Sequence, residues 1–343
     1  MKKLLNTLYI NSPDRYLSLD GENVVILNDG AELGRVPLHN LERIMAFGYT
    51  GASPALMGKC AQMGIELVFM SMHGRFLARV EGEENGNVLL RRQQYRYADD
   101  RRKSLEIARN IIAAKIFNAR WTVERTKRDH QLRIDTEKFG RCSQQLKAAS
   151  EAAFSAEDHD RLRGIEGEAA QLYFSLLDDM ILQQKDDFVF TKRSKRPPMD
   201  RVNALLSFVY SLAAGMCASG LEAAGLDPYV GFMHTDRPGR RSLALDILEE
   251  FRAPLCDRFV LSVINRKAVS PSDFEEREDG AVFLNETGRK TVLSAWQKRK
   301  DDIIRHPFLE ESMEWGILPY AQALLLARFI RGDFDAYPPF MWK

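Results

Sequence analysis

Over the first 80 residues the hydrophobic positions come in short runs separated by turn residues. Tyr16-Leu-Ser-Leu19 and Val24-Val-Ile-Leu27 flank Asp20-Gly-Glu-Asn23, and Asn28-Asp-Gly30 leads into Leu33-Gly-Arg-Val-Pro-Leu38. Runs of this length, punctuated by Asx and Gly, predict meandering β-hairpins. Ser53-Pro54 supplies an N-cap and a first-turn proline. Ala55 to Met63 is therefore predicted to be a short helix, Gly64 its stop, and Ile65 to Ser71 a further strand. The expectation is a small β-rich, sandwich-like domain over residues 1–80 with one inserted helix. Glu81-Gly-Glu-Glu-Asn-Gly-Asn87 has no apolar residue, the composition of a linker, which is placed at 81–87.

Beyond Asn87 the period becomes that of helices, over stretches such as Arg101 to Arg128 and Asp200 to Ala224. Residues 88–343 are expected to form a larger, predominantly α-helical domain, giving an α+β chain. Asn203 to Leu221 is uncharged and nearly long enough to span a bilayer, but Ser207, Ser211, Gly215 and Ser219 punctuate it. It is read as a buried central helix, with no membrane role.

Composition narrows the class without naming a function. Of 343 residues, 45% are hydrophobic and 28% charged, the balance of a soluble folded protein with material for two domains. The net charge of +1 does not announce nucleic-acid binding, so any basic surface has to come from local clustering. Cys60, Cys142, Cys217 and Cys256 lack metal-ligand spacing and read as reduced structural thiols. Asn6 and Asn11-Ser-Pro13 interrupt the first apolar run before a signal-peptide core can form, so a cytoplasmic protein is expected.

Three segments carry candidate chemistry. In a helix expected from Arg161 to Leu182, an apolar stripe runs through Leu162, Ile165, Ala169, Tyr173 and Leu176. Glu166 falls inside that stripe, about 40° from Leu162 and about 20° from Tyr173 around the helix, whereas Glu168 is turned about 200° away. A carboxylate aimed at a core has to be paired, protonated or metal-bound. Gly225-Leu-Asp-Pro-Tyr-Val-Gly-Phe-Met-His234 is a glycine-punctuated turn ending in a histidine, which can be a hydrogen-bonded structural residue or an imidazole ligand. Ser242-Leu-Ala-Leu-Asp-Ile-Leu-Glu-Glu-Phe-Arg252 opens with a capping serine and puts Asp246, Glu249 and Glu250 within about 100° of arc. Three acids on one face want solvent, arginines or a cation; the base rate favours solvent, and periodicity alone does not separate a site from a surface there.

Basic residues cluster at Arg91-Arg92 with Arg96 and Arg101-Arg-Lys103, at Lys192-Arg193-Ser-Lys195-Arg196, and at Arg237 with Arg240-Arg241. Each can neutralise phosphates, and Tyr95 and Tyr97 can add stacking. By itself each is an ordinary solvated face.

Arg163-Gly-Ile-Glu-Gly-Glu-Ala-Ala170 with Tyr173, Asn203-Ala-Leu-Leu-Ser-Phe-Val-Tyr210, Gly225 to His234 and Leu243 to Arg252 occur in one order and spacing. Together they resemble the CRISPR-associated adaptation endonuclease/integrase, the Cas1 family, in its type I-C form. The resemblance implies that Glu166, His234 and Glu249 bind Mg²⁺ or Mn²⁺, with Asp246 as an auxiliary ligand and Glu249 standing where many relatives have Asp. It implies insertion of protospacer double-stranded DNA into the CRISPR repeat by 3′-hydroxyl attack. It also implies a homodimer through the β-rich domain and a larger complex with a Cas2 dimer. Arg237, Arg240, Arg241, Lys192, Arg193, Lys195 and Arg196 are then candidates to hold DNA. Two alternatives stay open: a metal-dependent nuclease without strand joining, and a non-catalytic DNA-binding scaffold in which Glu166 is only ion-paired. The tail Tyr337-Pro-Pro-Phe-Met-Trp342 either docks on a partner or folds back on its own domain.

Overall fold

A computed structural model describes residues 7–10, 12–41, 43–49, 51–71, 76–82 and 88–343. The proposed connector at 81–87 lies mostly outside them. The chain divides into two compact units. Whereas the sequence places everything beyond residue 88 in the helical domain, the first unit also takes in Val269–Glu276 and Phe283–Asp302.

The first unit holds two four-stranded sheets. In one, β2 (Tyr16–Asp20), β3 (Asn23–Asn28) and β4 (Ala31–Pro37) form the expected antiparallel meander. The other joins β1 (Thr7–Ile10), β5 (Arg43–Phe47), β7 (Glu66–Met70) and β8 (Phe76–Arg79), with β6 (Gly51–Ala52) pairing to β2. Here β1, β5 and β7 run parallel, which alternation along one strand cannot reveal. Arg43 and Glu66 face each other in that register, and their side chains are 2.5 Å apart. The inserted helix α1 (Pro54–Met63) is capped as expected, Ser53 accepting from the Leu56 amide, and Gly64 ends it in the left-handed region at φ 68. Leu17, Val24, Ile44, Leu56, Cys60 and Leu67 share one core.

The second unit is helical: α2 (Val88–Asp99), α3 (Arg101–Asp129), α4 (Thr136–Phe154), α5 (His159–Phe174), α6 (Arg201–Ala223), α7 (Ser242–Phe251) and α8 (Arg258–Asn265). The chain then contributes α9 (Glu286–Asp301) to the first unit, where Lys300 Nζ reaches Thr7 Oγ1 at 3.1 Å, and ends in α10 (Leu318–Arg331). Asp100, Asp135, Asp158 and Asp200 cap α3 to α6, each cap worth about 1 kcal/mol. The expected membrane-length segment is α6, and it is buried in the helical core from Val202 to Leu221 along all but its polar edge. All four cysteines are buried, and none forms a disulfide.

The tail folds back. Tyr337 and Phe340 are buried, and Trp342 packs edge-on against Trp315 with ring centroids 5.1 Å apart.

Candidate active site

The loop between α6 and α7 begins at Gly225, in the left-handed region at φ 81. Gln94 on α2 holds it, donating to the carbonyls of Asp227 and Val230 and accepting from the Asp227 amide. Gly231 then crosses the first turn of α7 so closely that a Cβ there would lie 2.8 Å from Asp246 Oδ2. This approach aims three amides at one carboxylate. Phe232 and Met233 donate to Asp246 Oδ2 at 2.7 and 3.0 Å, and His234 donates to Oδ1 at 3.0 Å. His234 Nδ1 lies 2.6 Å from the same Oδ1. Both oxygens of Asp246 are thus engaged, and they turn Nε2 of His234 toward Glu249. Gly231→Ala is expected to force the loop off α7 at about 1–3 kcal/mol, seen as a lowered melting temperature. An unchanged melting temperature would mean the loop has room that the geometry denies it.

The three acids of α7 are all buried, which corrects the solvated reading. They part into three roles. Asp246 organises the loop, and Glu250 accepts from Tyr337 Oη, the Phe340 amide and Gln322 Nε2. Glu249 faces the centre. Nor does Ser242 cap the helix: it is the first helical residue, and its hydroxyl donates to the Thr235 carbonyl at 3.3 Å.

The stripe of α5 is buried as expected at Leu162, Ile165, Ala169 and Tyr173, although the helix ends at Phe174 and turns follow. Glu166 sits at its edge, with 27% of its side chain exposed. Between Glu166 and Glu249 stands Lys115 of α3. Its Nζ bonds Glu166 Oε1 and lies 2.8 Å from Glu249 Oε2. Glu249 Oε1 is 2.9 Å from Arg252 and 3.9 Å from His234 Nε2. The sequence reading missed Lys115, yet the signal that found Glu166 applies to it. On α3 it falls about 40° from Ile111 and Ala119 and about 20° from Ala108, and all three are buried.

Charge sets the protonation states. Burial works to raise the pKa of Glu249, but Arg252, Lys115 and His234 outweigh it and hold the carboxyl at about 2. Burial pulls the Lys115 ammonium down, yet Glu249 and Glu166 leave it raised. His234 is raised against burial by its bond to Asp246 and the charges of Asp246 and Glu249. Beneath Arg252 lies the ring of Tyr210, 4.8 Å from the guanidinium carbon, and Tyr210 Oη donates to Asp257 at 2.5 Å. Burial pushes Asp257 up to about 6 despite bonds from Tyr210 and Tyr173. Among the described residues, no three His, Cys, Asp or Glu side chains are gathered to hold a metal ion as they stand; the cation between the two glutamates is Lys115.

The family model for CRISPR associated protein Cas1 matches residues 8–298. The chain belongs to the Cas1 family. It is 49% identical, over the whole of both chains, to CRISPR-associated endonuclease Cas1 1 of Chlorobaculum tepidum. It is also 49% identical to CRISPR-associated endonuclease Cas1 2 of Rhodospirillum rubrum, again covering both in full. Its fold is similar to that of a CAS1 protein from Thermotoga maritima, with a TM-score of 0.81 at 22% identity over 97% of this chain and 99% of that one. It is similar too to a casposase bound to integration product, with a TM-score of 0.82 at 20% identity, covering 99% and 95%. None of these names carries a system type, so the type I-C resemblance remains an expectation.

In this Cas1 chain the basic candidates divide by what they touch. Lys192, Lys195, Arg196 and Arg237 are exposed. Arg193 is turned inward, donating to Asn203 Oδ1 and Ser207 Oγ beside the Tyr210 ring, so its guanidinium fastens the 192–196 segment to α6. Lys195 has its pKa lowered by partial burial and by the charges of Arg252 and Arg193, which puts it in the field of the glutamate centre. Arg240 binds the Thr235 carbonyl and Ser242 Oγ, and Arg241 lies over Tyr229. The stacking expected of Tyr95 and Tyr97 meets internal contacts instead. Tyr95 Oη donates to Asp227, and Tyr97 packs edge-on to Phe329 with Lys103 over its ring.

Proposed function

We propose that this chain is a divalent-metal-dependent DNA integrase and endonuclease of CRISPR adaptation, with Glu166, Glu249 and His234 Nε2 as the metal donors. The observation that carries this reading is the convergence of two glutamates, from α5 and α7, on one buried cationic position, with an imidazole nitrogen beside it. Two carboxylates and a neutral imidazole suit Mg²⁺ or Mn²⁺. Glu249 Oε2 is buried with no hydrogen bond aligned to it, and Lys115 Nζ is its nearby cation at 2.8 Å. When bound, the ion would supply Lewis acidity at a phosphodiester.

Each residue then has a defined part. Asp246 is a positioning residue rather than a ligand: it fixes the His234 ring and keeps its proton on Nδ1. Arg252, Lys195 and Arg237 are placed to balance phosphate charge. In the joining step a DNA 3′-oxygen forms a new bond to phosphorus as the target strand's own 3′-oxygen leaves, so the number of phosphodiesters is conserved. With water as nucleophile the same substitution is cleavage.

The names of relatives support this assignment, since the Chlorobaculum and Rhodospirillum proteins are called endonucleases and the casposase is bound to integration product. A Cas6-RT-Cas1 and Cas2 complex contains a similar fold, at a TM-score of 0.82 and 21% identity, covering all of this chain and 36% of that one. The reading accordingly includes a Cas2 partner, double-stranded DNA, a homodimer through the β-rich unit and a cytoplasmic location. Joining of a 3′-hydroxyl duplex into a repeat-containing plasmid, with Mn²⁺ and with Mg²⁺, tests it. Hydrolysis without joining would leave a nuclease, and tight DNA binding without either would leave a scaffold.

The raised pKa of His234 sets a pH dependence. A proton on Nε2 competes with the metal, so Mn²⁺ affinity should fall as pH is lowered through a value above the ordinary histidine range near 6.5. Asp246→Asn removes the charge that raises it and should move the midpoint to lower pH. Calorimetric titration of Mn²⁺ between pH 6 and 9 checks this, and a midpoint unmoved by Asp246→Asn would contradict the coupling.

A further inference from the structure

The geometry points to Lys115 as an internal counter-cation: its ammonium occupies the place between Glu166 and Glu249 that a divalent ion would take, so metal binding and the Lys115 ion pairs exclude each other. The inference rests on the metal-site reading above and extends it to a residue on α3 that holds the site together while no metal is bound.

Two glutamates already face two full cations, Lys115 and Arg252, in a buried setting. A divalent ion added to that set would leave excess positive charge where little water screens it. One cation therefore has to leave. Arg252 is anchored, its guanidinium over the Tyr210 ring and its Nη2 on Glu249. Lys115 has an exit, because its side chain lines an open cleft together with Glu166, Ala169, Ala170, Phe174 and Tyr210. Its flexible stem can swing there without moving α3. Its hold on Glu249 is also the looser kind, since Oε2 has Nζ at 2.8 Å but no aligned hydrogen bond. The ion pair keeps the buried Glu249 and the partly exposed Glu166 from repelling each other before metal arrives, and it weakens metal affinity by the work of displacing the lysine.

Mn²⁺ binding to the full-length protein, measured from the electron paramagnetic resonance of the free ion, tests this. Lys115→Met, confirmed folded by circular dichroism, is expected to bind Mn²⁺ about tenfold more tightly than wild type. Lys115→Arg, which keeps a cation, should stay near wild type. Equal or weaker binding by Lys115→Met would overturn the proposal, while wild-type binding abolished by Glu166→Gln would leave the metal site standing. Absence of Mn²⁺ binding in wild type and Lys115→Met alike would overturn both. A second readout needs no variant. Reductive methylation followed by mass spectrometry should label Lys115 several-fold more when Mn²⁺ is present, because the displaced ammonium enters the cleft. Labelling that is unchanged or reduced by Mn²⁺ would also overturn it.

Discussion

Glu166→Ala and Glu249→Ala are each expected to abolish strand joining and cleavage while leaving most DNA affinity intact. The two effects separate because different groups supply them. On the proposed reading, phosphate neutralisation would come from exposed cations such as Lys192, Arg196 and Arg237, whose contribution would be long-range and salt-dependent. Reactivity comes from the metal that the glutamates would hold. Losing one of two carboxylates should lower joining by at least about a hundredfold, comparable to removing one preorganised charge-stabilising group from an active site. The two substitutions will not be equal in stability. Glu166 is partly exposed, so its loss frees Lys115 toward the cleft. Glu249 is buried against Lys115 and Arg252, and its removal strands Arg252 and leaves Lys115 with Glu166 alone, at about 3–5 kcal/mol. Glu249→Gln is the better probe there, since it keeps the volume. His234→Ala should lose joining as well. Near-normal joining by folded Glu166→Ala protein, free of wild type, would overturn the proposed centre.

How far the sequence reached depends on the range of each signal. The meander β2 to β4 was legible because its partners are neighbours in sequence joined by short turns, and α1 because Ser53, Pro54 and Gly64 punctuate it. The parallel pairing of β1, β5 and β7 leaves no local trace, since the strands that meet, Thr7–Ile10 and Arg43–Phe47, are separated by the whole β2 to β4 meander. The return of α9 to the first unit is illegible for the same reason: an amphipathic helix does not state which core it covers.

The site shows the same limit at the scale of side chains. Glu166 stood out because one carboxylate interrupts an apolar stripe. Lys115 interrupts one equally, but a lysine at a helix edge usually extends its amine into water, and only the arrival of two glutamates from α5 and α7 makes it part of a centre. The acids of α7 misled because periodicity describes a helix by itself. Here α3, α6 and α10 surround the helix, so every face is covered and polar partners from distant segments decide what each acid does.

Deleting Ala336–Lys343 is expected to unfold the helical unit or lower its melting temperature by more than about 10 °C, and Phe340→Ala alone by about 6–12 °C, taking about 3 kcal/mol for the cavity and about 2–4 °C per kcal/mol. Phe340 is fully buried against Phe251, Trp315 and His306. The tail also supplies two of the three donors to the buried Glu250 carboxylate. Glu250 is pushed up to about 7 by burial, against bonds from Tyr337, Phe340 and Gln322; the deletion leaves Gln322 alone. The folded state then holds a proton that the unfolded chain releases near pH 4.5, so this group's contribution to stability falls as pH rises from about 4.5 through about 7. Asn118 ties the consequences to chemistry. It donates to the carbonyls of Glu250 and Phe340 and accepts from the Trp342 amide; it stands about one helical turn from Lys115 on α3, and Glu250 is the residue that follows Glu249. The tail thus clamps α3 to α7 behind the cation position. Thermal unfolding of Phe340→Ala from pH 5 to 8, with Mn²⁺ affinity of the protein still folded at low temperature, should show both losses together. A Phe340→Ala protein that melts within about 1 °C of wild type would remove the tail from the core and leave the partner-docking role in its place.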